Sequence, residues 1–247
     1  MKSLNQGIFT FGLIACSLFW QGSSLSAATK YVTPTGTSPY DGNDWTSAYS
    51  NIQDAVNACL AEASTIYIRT GKYAIGTQIG VGSAVDLTFQ GGCTGSGTTT
   101  TTNDPTVIYR STGNIKLLAA TNSLLKLDNL SFTNGFGRDG ANTLGFTIHL
   151  MNCRSTFTNC AVRDNSSNGS ADSGQYGIGI YASKGSLVLR DCLFQNNLDA
   201  EGLIQYGGAV YASGGAVTSI NCRFIGNTAI GNTAAGGGFF LTSCTNS

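Results

Sequence analysis

The sequence predicts a right-handed parallel β-helix, an all-β solenoid in which each turn of the chain adds one strand to every sheet. Three observations predict this fold class. An eight-residue pattern recurs at 128–135, 158–165, 190–197 and 220–227, in steps of 30, 32 and 30 residues. Apolar residues within it follow the two-residue period of a β-strand. Single Asn or Asp residues break that period at one fixed place, which favours tight bends over hairpins.

Residues 1–28 resemble a secretory signal peptide, with Lys2, an apolar run from Ile8 to Trp20 and small residues in "SLSAAT". The apolar run is too short to span a bilayer. An alternative is a lipoprotein, because "LIAC" resembles a bacterial lipobox and would leave Cys16 as a lipidated N-terminus. Both interpretations predict a secreted or cell-surface protein with no membrane span in the mature chain.

Residues 29–63 are expected to form an N-terminal cap. The segment "SNIQDAVNACLAEA" offers Ser50 and Gln53 as a capping box, followed by an apolar stripe at helical spacing. A solenoid leaves an open edge at its end, and an amphipathic helix can cover it.

Residues 64–247 are expected to form the β-helix. One apolar column contains Leu130, Cys160, Cys192 and Cys222, and another contains Phe132, Val162, Phe194 and Phe224. The bend column contains Asn129, Asn159, Asp191 and Asn221, residue types that tolerate a left-handed backbone. A further strand aligns Ile148, Ile180, Val210 and Phe240. We therefore expect three strands and one long loop per coil, about six coils at ~4.8 Å spacing, and a C-terminally incomplete helix.

Composition limits the possible partners. The 247 residues carry 13 Lys and Arg against 13 Asp and Glu, and only 11% of them are charged. A nearly neutral chain lacks the electrostatic field that nucleic-acid binding requires, so no nucleic-acid partner is expected. Hydrophobic residues make up 41% of the chain, which is too many for a disordered protein.

The repeats resemble those of a known group. "GGAV" at 207, with "FQNN" at 194 and "FIGN" at 224, is similar to the GGA(I/L/V) and FxxN repeats of chlamydial polymorphic membrane proteins. It also resembles wider bacterial β-helix proteins with a pectin-lyase-like fold, and "DGNDWTSAYSNIQDAV" is similar to the start of many of them. The resemblance implies a coil rather than a chemistry, and in the polymorphic membrane proteins it implies an adhesin.

The cysteine and metal-ligand patterns predict neither a metal site nor a cofactor. Cys160, Cys192 and Cys222 are expected to stack as buried thiols, whereas Cys59 and Cys93 form the more plausible disulfide. The chain has one His and no CxxC motif, and "DGND" at 41 lacks the further ligands of a Ca²⁺ loop and predicts a turn.

The enzyme signal is weak. β-Helix enzymes that hydrolyse polysaccharide need an acid and a base facing each other across the sugar. Asp128, Asp164 and Asp191 lie in or beside bend columns, which predicts a structural role. Other charged residues lie in the long loops, namely Arg138, Asp139, Asp172, Asp199 and Glu201. No spacing forces two carboxylates together, so no catalytic residue is assigned.

The candidate binding residues come from strand alternation. With Ile148, Ile180 and Val210 inward, the next residues must point outward, and we expect His149, Tyr181 and Tyr211 to form an exposed row that can stack sugar rings. The loops carrying Asp172, Asp199 and Glu201 would wall a groove beside it.

Three functions stay open. The sequence favours an adhesin-like module that binds a polysaccharide or a host or cell-surface glycan. The alternatives are a polysaccharide lyase or glycoside hydrolase of the pectin-lyase-like fold, and a purely structural surface protein in which the aromatic row only shields the backbone.

Overall fold

The chain folds into stacked parallel β-sheets. The computed structural model describes residues 27–246, apart from 37–38, 60–62, 102–104, 138–142, 146, 169–173 and 201–203. Within these residues there is one short helix, α1 (Ile52–Asn57), and the named strands all pair in parallel in four sheets. Because a parallel crossover in one sheet is right-handed, successive coils build a right-handed β-helix.

Sheets A and B form two sides of the coil. The strands of sheet A are β1 (Thr29–Val32), β2 (Ser64–Arg69), β4 (Ile79–Val81), β5 (Asp86–Cys93), β7 (Leu118–Thr121), β8 (Leu124–Asp128), β12 (Ile148–Thr158), β16 (Ile180–Arg190), β20 (Val210–Ser213), β21 (Ala216–Ile220), β25 (Phe239–Thr242) and β26 (Thr245–Asn246). The strands of sheet B are β3 (Gly71–Ile75), β6 (Thr106–Arg110), β9 (Leu130–Thr133), β13 (Ala161–Arg163), β17 (Leu193–Gln195) and β22 (Arg223–Ile225). The main path through sheet A passes eight strands, more levels than the six coils expected from the sequence.

Sheets C and D lie on the two sides of the long loops, where the sequence predicted only loop. Sheet C contains β10 (Phe136–Gly137), β14 (Ser166–Asn168), β18 (Leu198–Ala200) and β23 (Thr228–Ile230). Sheet D contains β11 (Thr143–Leu144), β15 (Gly174–Tyr176), β19 (Ile204–Tyr206) and β24 (Thr233–Ala235). Asp199 therefore lies in a strand, opposite Ser167 and Ala229, and not in a loop. Pairing with the coil above and below satisfies backbone groups that a loop would leave to water.

The bends have the backbone that the sequence predicted. Asn129, Asn159, Asp191 and Asn221 have φ values of 53°, 50°, 53° and 54°. Two of these side chains donate to the preceding coil: Asn159 donates to Asp128 at 3.2 Å, and Asn221 donates to Asp191. At the second bend Asn196 donates to Asp164 at 3.1 Å. The carboxylates of Asp128, Asp164 and Asp191 therefore have the structural role expected of them.

A buried asparagine ladder follows the second bend. Asn165 donates to the side-chain oxygen of Asn197 at 2.8 Å, and Asn197 donates in turn to Asn227 at 2.8 Å. The same side chains also donate to the carbonyls of Phe132, Val162 and Phe194. Because each amide meets both the backbone and its neighbour, the ladder ties the coils together at one internal corner.

The interior consists of the predicted apolar columns. Phe132, Val162 and Phe194 are each 1% exposed, and Phe194 stacks on Phe224 with ring centroids 4.9 Å apart. Cys160 and Cys192 are buried as expected and donate to backbone carbonyls of their own and the preceding coil. Cys222, the third expected member of the buried stack, is only partly buried and donates to the Ile220 carbonyl at 3.3 Å.

The expected disulfide is wrong, because Cys59 and Cys93 are both free thiols. Cys59 lies just after α1, whereas Cys93 ends β5 and donates to the Gln90 carbonyl at 3.3 Å. The two cysteines thus belong to different parts of the fold, and each is buried there.

Two further expectations are corrected. Asn51, not Ser50, caps α1 and accepts a hydrogen bond from the Gln53 N–H at 2.8 Å. In the last coil Val210 lies opposite Phe239, so Phe240 pairs with Tyr211 instead of facing inward. Gly236, Gly237 and Gly238 run consecutively there, and the sequence alone does not say which of them begins the repeat. Within the described residues, no helix is long and apolar enough to cross a membrane.

Candidate binding face

The candidate residues lie on the outer side of sheet A. Ile148, Ile180 and Val210 are fully buried in the interior, and the residue after each of them points the other way because strand side chains alternate. His149, Tyr181 and Tyr211 are paired in register in adjacent coils, and Phe240 continues the series. We call these four residues the aromatic row.

The rings of the aromatic row pack on one another. Tyr181 and Tyr211 are stacked with centroids 5.3 Å apart and planes at 2°, and Tyr211 stacks on Phe240 at 5.6 Å. His149 meets Tyr181 edge-on at 5.1 Å. The ring faces of Tyr181, Tyr211 and Phe240 therefore point along the solenoid axis toward each other, and the edges of these three rings point away from sheet A.

Two tyrosines of sheet D complete the cluster. Tyr176 contacts Tyr211 edge-on at 5.1 Å, and Tyr206 stacks on Phe240 at 4.2 Å. With the aromatic row, Tyr176 and Tyr206 form what we call the aromatic face. The expected exposure is wrong for Tyr181, which is only 7% exposed, since its neighbours in the row pack on both sides of its ring.

Burial in the aromatic face shifts the pKa of two of its side chains. Burial lowers the pKa of His149 to about 4, with a smaller contribution from the charge of Lys116. Its Nε2 atom is buried and has no hydrogen-bond partner among the residues that the structure describes. Burial also raises the pKa of Tyr211. At neutral pH the face therefore presents an uncharged imidazole at His149 and a protonated phenol at Tyr211.

The three predicted acids are not placed on this face. Asp172 and Glu201 lie outside the described residues, and only the backbone position of Asp199, in β18, is described. The groove wall that they were expected to form stays a prediction.

Sequence reasoning missed Tyr176, Tyr206 and Phe240. A signal for the first two was present, because "QYG" occurs at both 175–177 and 205–207. Repetition of a tripeptide at the coil period indicates a stacked column, and Gln175–Gln205 and Tyr176–Tyr206 do pair in register.

Metal-binding groups do not converge in the described part of the chain, where no three His, Cys, Asp or Glu side chains are close enough to hold an ion. The "DGND" segment is a turn. Its Asp44 carboxylate accepts hydrogen bonds from the backbone N–H groups of Thr46 and Ser47 at 2.8 and 2.9 Å.

Comparison with known proteins gives only distant matches. No family model matches the chain, and no curated protein matches it. A pectin methylesterase from Aspergillus niger aligns over 91% of this chain and 87% of its own, with 14% identity and a TM-score of 0.38. A rhamnogalacturonan lyase aligns over 87% of this chain and 62% of its own, with 14% identity and a TM-score of 0.39. The β-helix assignment rests on the parallel register of this chain's own sheets.

Proposed function

We propose that the protein is an exported, non-catalytic β-helix that contacts a glycan through its aromatic face, as an adhesin-like module. One observation carries this proposal: six aromatic side chains from two different sheets meet on the outside of the coil. Clusters of aromatic residues at a protein surface are typical of binding sites.

The stacking decides how a ligand would be held. Since the rings of Tyr181 and Tyr211 cover each other's faces, a sugar cannot lie flat on them as the sequence suggested. It would instead meet ring edges and phenol hydroxyls. Within the described residues, the hydroxyls of Tyr176 and Tyr206 have no hydrogen-bond partner, and both side chains are partly exposed. A tyrosine that offers a ring edge and a free hydroxyl suits a sugar, which has both C–H and O–H groups.

The alternative, a polysaccharide lyase or glycoside hydrolase, has less support. It needs two catalytic groups facing each other, yet Asp128, Asp164 and Asp191 accept hydrogen bonds from bend asparagines. Of the remaining charged candidates, Asp199 lies in β18, and the others, Arg138, Asp139, Asp172 and Glu201, lie outside the described residues. Release of reducing ends or unsaturated sugars from plant or algal polysaccharide would favour this alternative and contradict our proposal.

A glycan array probed with the full chain tests the binding function. We expect the wild type to bind a subset of neutral polysaccharides. The double variant Tyr176→Phe with Tyr206→Phe should bind at least about tenfold more weakly, since it loses two hydroxyls while the rings keep their packing. Tyr31→Phe with Tyr67→Phe is the matched control, because these two tyrosines also stack, at 5.5 Å, but lie at the other end of the molecule. Absence of wild-type binding, or equal binding by both double variants, would reject the proposal.

A further inference from the structure

Among the described strands, β1, β4 and β3 form the N-terminal edges of sheets A and B, and other parts of the chain cover β1 and β4. The edge of β1 is covered by residues 42–49. The backbone N–H of Tyr31 donates to the Gly42 carbonyl, and the backbone N–H of Tyr49 donates to the Tyr31 carbonyl, both at 2.9 Å. The edge of β4 is covered by one side chain. Gln53 of α1 accepts from the Gly80 N–H at 2.7 Å and donates to the Gly80 carbonyl at 3.1 Å, and thus replaces a neighbouring strand.

The third edge, that of β3, is open. Sheet B ends at β3, which pairs with β6 alone. The Ser111 N–H donates a hydrogen bond to the Ile75 carbonyl, so the backbone groups of Ile75 point toward β6. Alternate residues of a strand face the same neighbouring strand, so the backbone groups of Tyr73 also point toward β6. The N–H and C=O groups of Lys72 and Ala74 therefore point away from the sheet. These four groups have no hydrogen-bond partner among the described residues, and both residues are exposed.

A cleft runs along this open edge. It encloses about 490 Å³ between β3 and the first turn of α1 and is lined on its two sides by Lys72, Ala74, Ser50 and Ile52, with Pro34 at one end. In sheet A the first level is occupied by β1, but the chain leaves the coil after Pro34, which packs over Gly71. Among the described residues, sheet B consequently has no strand at the level of β1. The cleft therefore lies where one further strand of sheet B would pair with β3.

We propose that this cleft binds an extended peptide segment of another protein, which adds to β3 as a further strand of sheet B and places an acidic side chain beside Lys72. An unpaired strand edge is a template for an added strand, and main-chain hydrogen bonds would supply the binding energy. The acidic preference follows from charge. Lys72 is the one charged side chain of the cleft lining and takes part in no ion pair within the described residues.

Fluorescence anisotropy with a labelled Thr-Val-Asp-Val-Thr peptide tests the proposal on the full chain. We expect saturable binding that weakens about tenfold in Lys72→Glu, because the charge partner is reversed. Lys126→Glu, at an exposed lysine on another sheet, is the charge-matched control and should bind like the wild type. Ala74→Pro should abolish binding, since it removes an N–H at an edge position where proline is tolerated, whereas Ala74→Ser keeps that N–H and should bind normally.

Peptide chemistry makes the test independent of whether Ala74→Pro folds. The same peptide N-methylated on alternate amides should not bind the wild type, and the Asp→Lys peptide should prefer Lys72→Glu. Hydrogen exchange at the amides of residues 72 and 74 should slow when the peptide is bound.

Equal binding of the methylated peptide, or no binding at millimolar peptide, would overturn the proposal. So would dimerisation that Ala74→Pro abolishes without any peptide binding, which would assign the edge to a second copy. Displacement by a uronic acid oligomer with no effect of Ala74→Pro would assign the cleft to a small acid instead.

Discussion

Two adjacent asparagines have different structural roles in this coil. Asn197 is fully buried and bonds to Asn165, Asn227 and the Val162 carbonyl, whereas adjacent Asn196 is exposed with φ of 52°. Asn197→Ala should lower the free energy of unfolding by about 2 to 4 kcal/mol, because it leaves buried partners unsatisfied. Asn196→Gly should change it by less than about 0.5 kcal/mol, since glycine accepts positive φ. Urea denaturation checks both, and similar losses would contradict the ladder.

His149 should make stability depend on pH. Its folded pKa of about 4 lies below the usual value near 6.5, because burial disfavours the charged form. Between these values the unfolded chain binds a proton that the folded chain does not, so the stabilisation is complete above pH ~6.5 and is lost as pH falls toward 4. Since the side chain is partly exposed, we expect a loss of at most about 2 kcal/mol.

Two measurements isolate this effect. His149 is the single histidine of the sequence, so its NMR signal can be titrated without overlap, and a midpoint near 6.5 would contradict the buried environment. In His149→Phe the dependence of unfolding free energy on pH between 6.5 and 4 should flatten.

At the scale of elements, the phenylalanine column shows how position along the solenoid sets energetic cost. Phe194 is 1% exposed and lies between Val162 and Phe224 in register, whereas Phe224, in the last strand of sheet B, is partly exposed. Phe194→Ala should cost about 3 to 5 kcal/mol, as expected for a buried ring, and Phe224→Ala should cost less than half of that. Chemical denaturation of the two variants provides the measurement. A larger loss for Phe224→Ala would mean that the outer coil is covered in solution.

At the scale of the whole molecule, stability should follow a gradient. In a solenoid each coil contacts only its neighbours, so a central coil is held on two sides. Large apolar side chains are exposed in the last coils, including Ile220, Ile225 and Ile230 at 42%, 39% and 54%. We expect amide hydrogen exchange to be slowest in β12 and β16 and fastest in β23 to β26. Uniform exchange across all coils would contradict coil-by-coil opening.

The sequence by itself determined the coil. Like residues stack on like every ~4.8 Å, so a repeat of about thirty residues predicts the inward columns of Ile148 and Phe132, and a single Asn at a break in period predicts the left-handed bends. These features depend on local backbone preference and on pairing between equivalent positions, and the sequence repeat shows both.

Only the tertiary structure decided what lies outside the coil. Tyr181 is buried because it belongs to the stack that Tyr211 and Phe240 continue. Tyr211 is partly covered by Tyr176 from sheet D. The edge of β4 is closed by Gln53, which comes from another element. The register of the last coil depends on which of three consecutive glycines turns the chain. The contact of Tyr211 with Tyr176 and that of Gln53 with Gly80 do not join equivalent positions of the repeat. They are fixed by the balance of packing between unlike segments, which the period of a sequence does not encode.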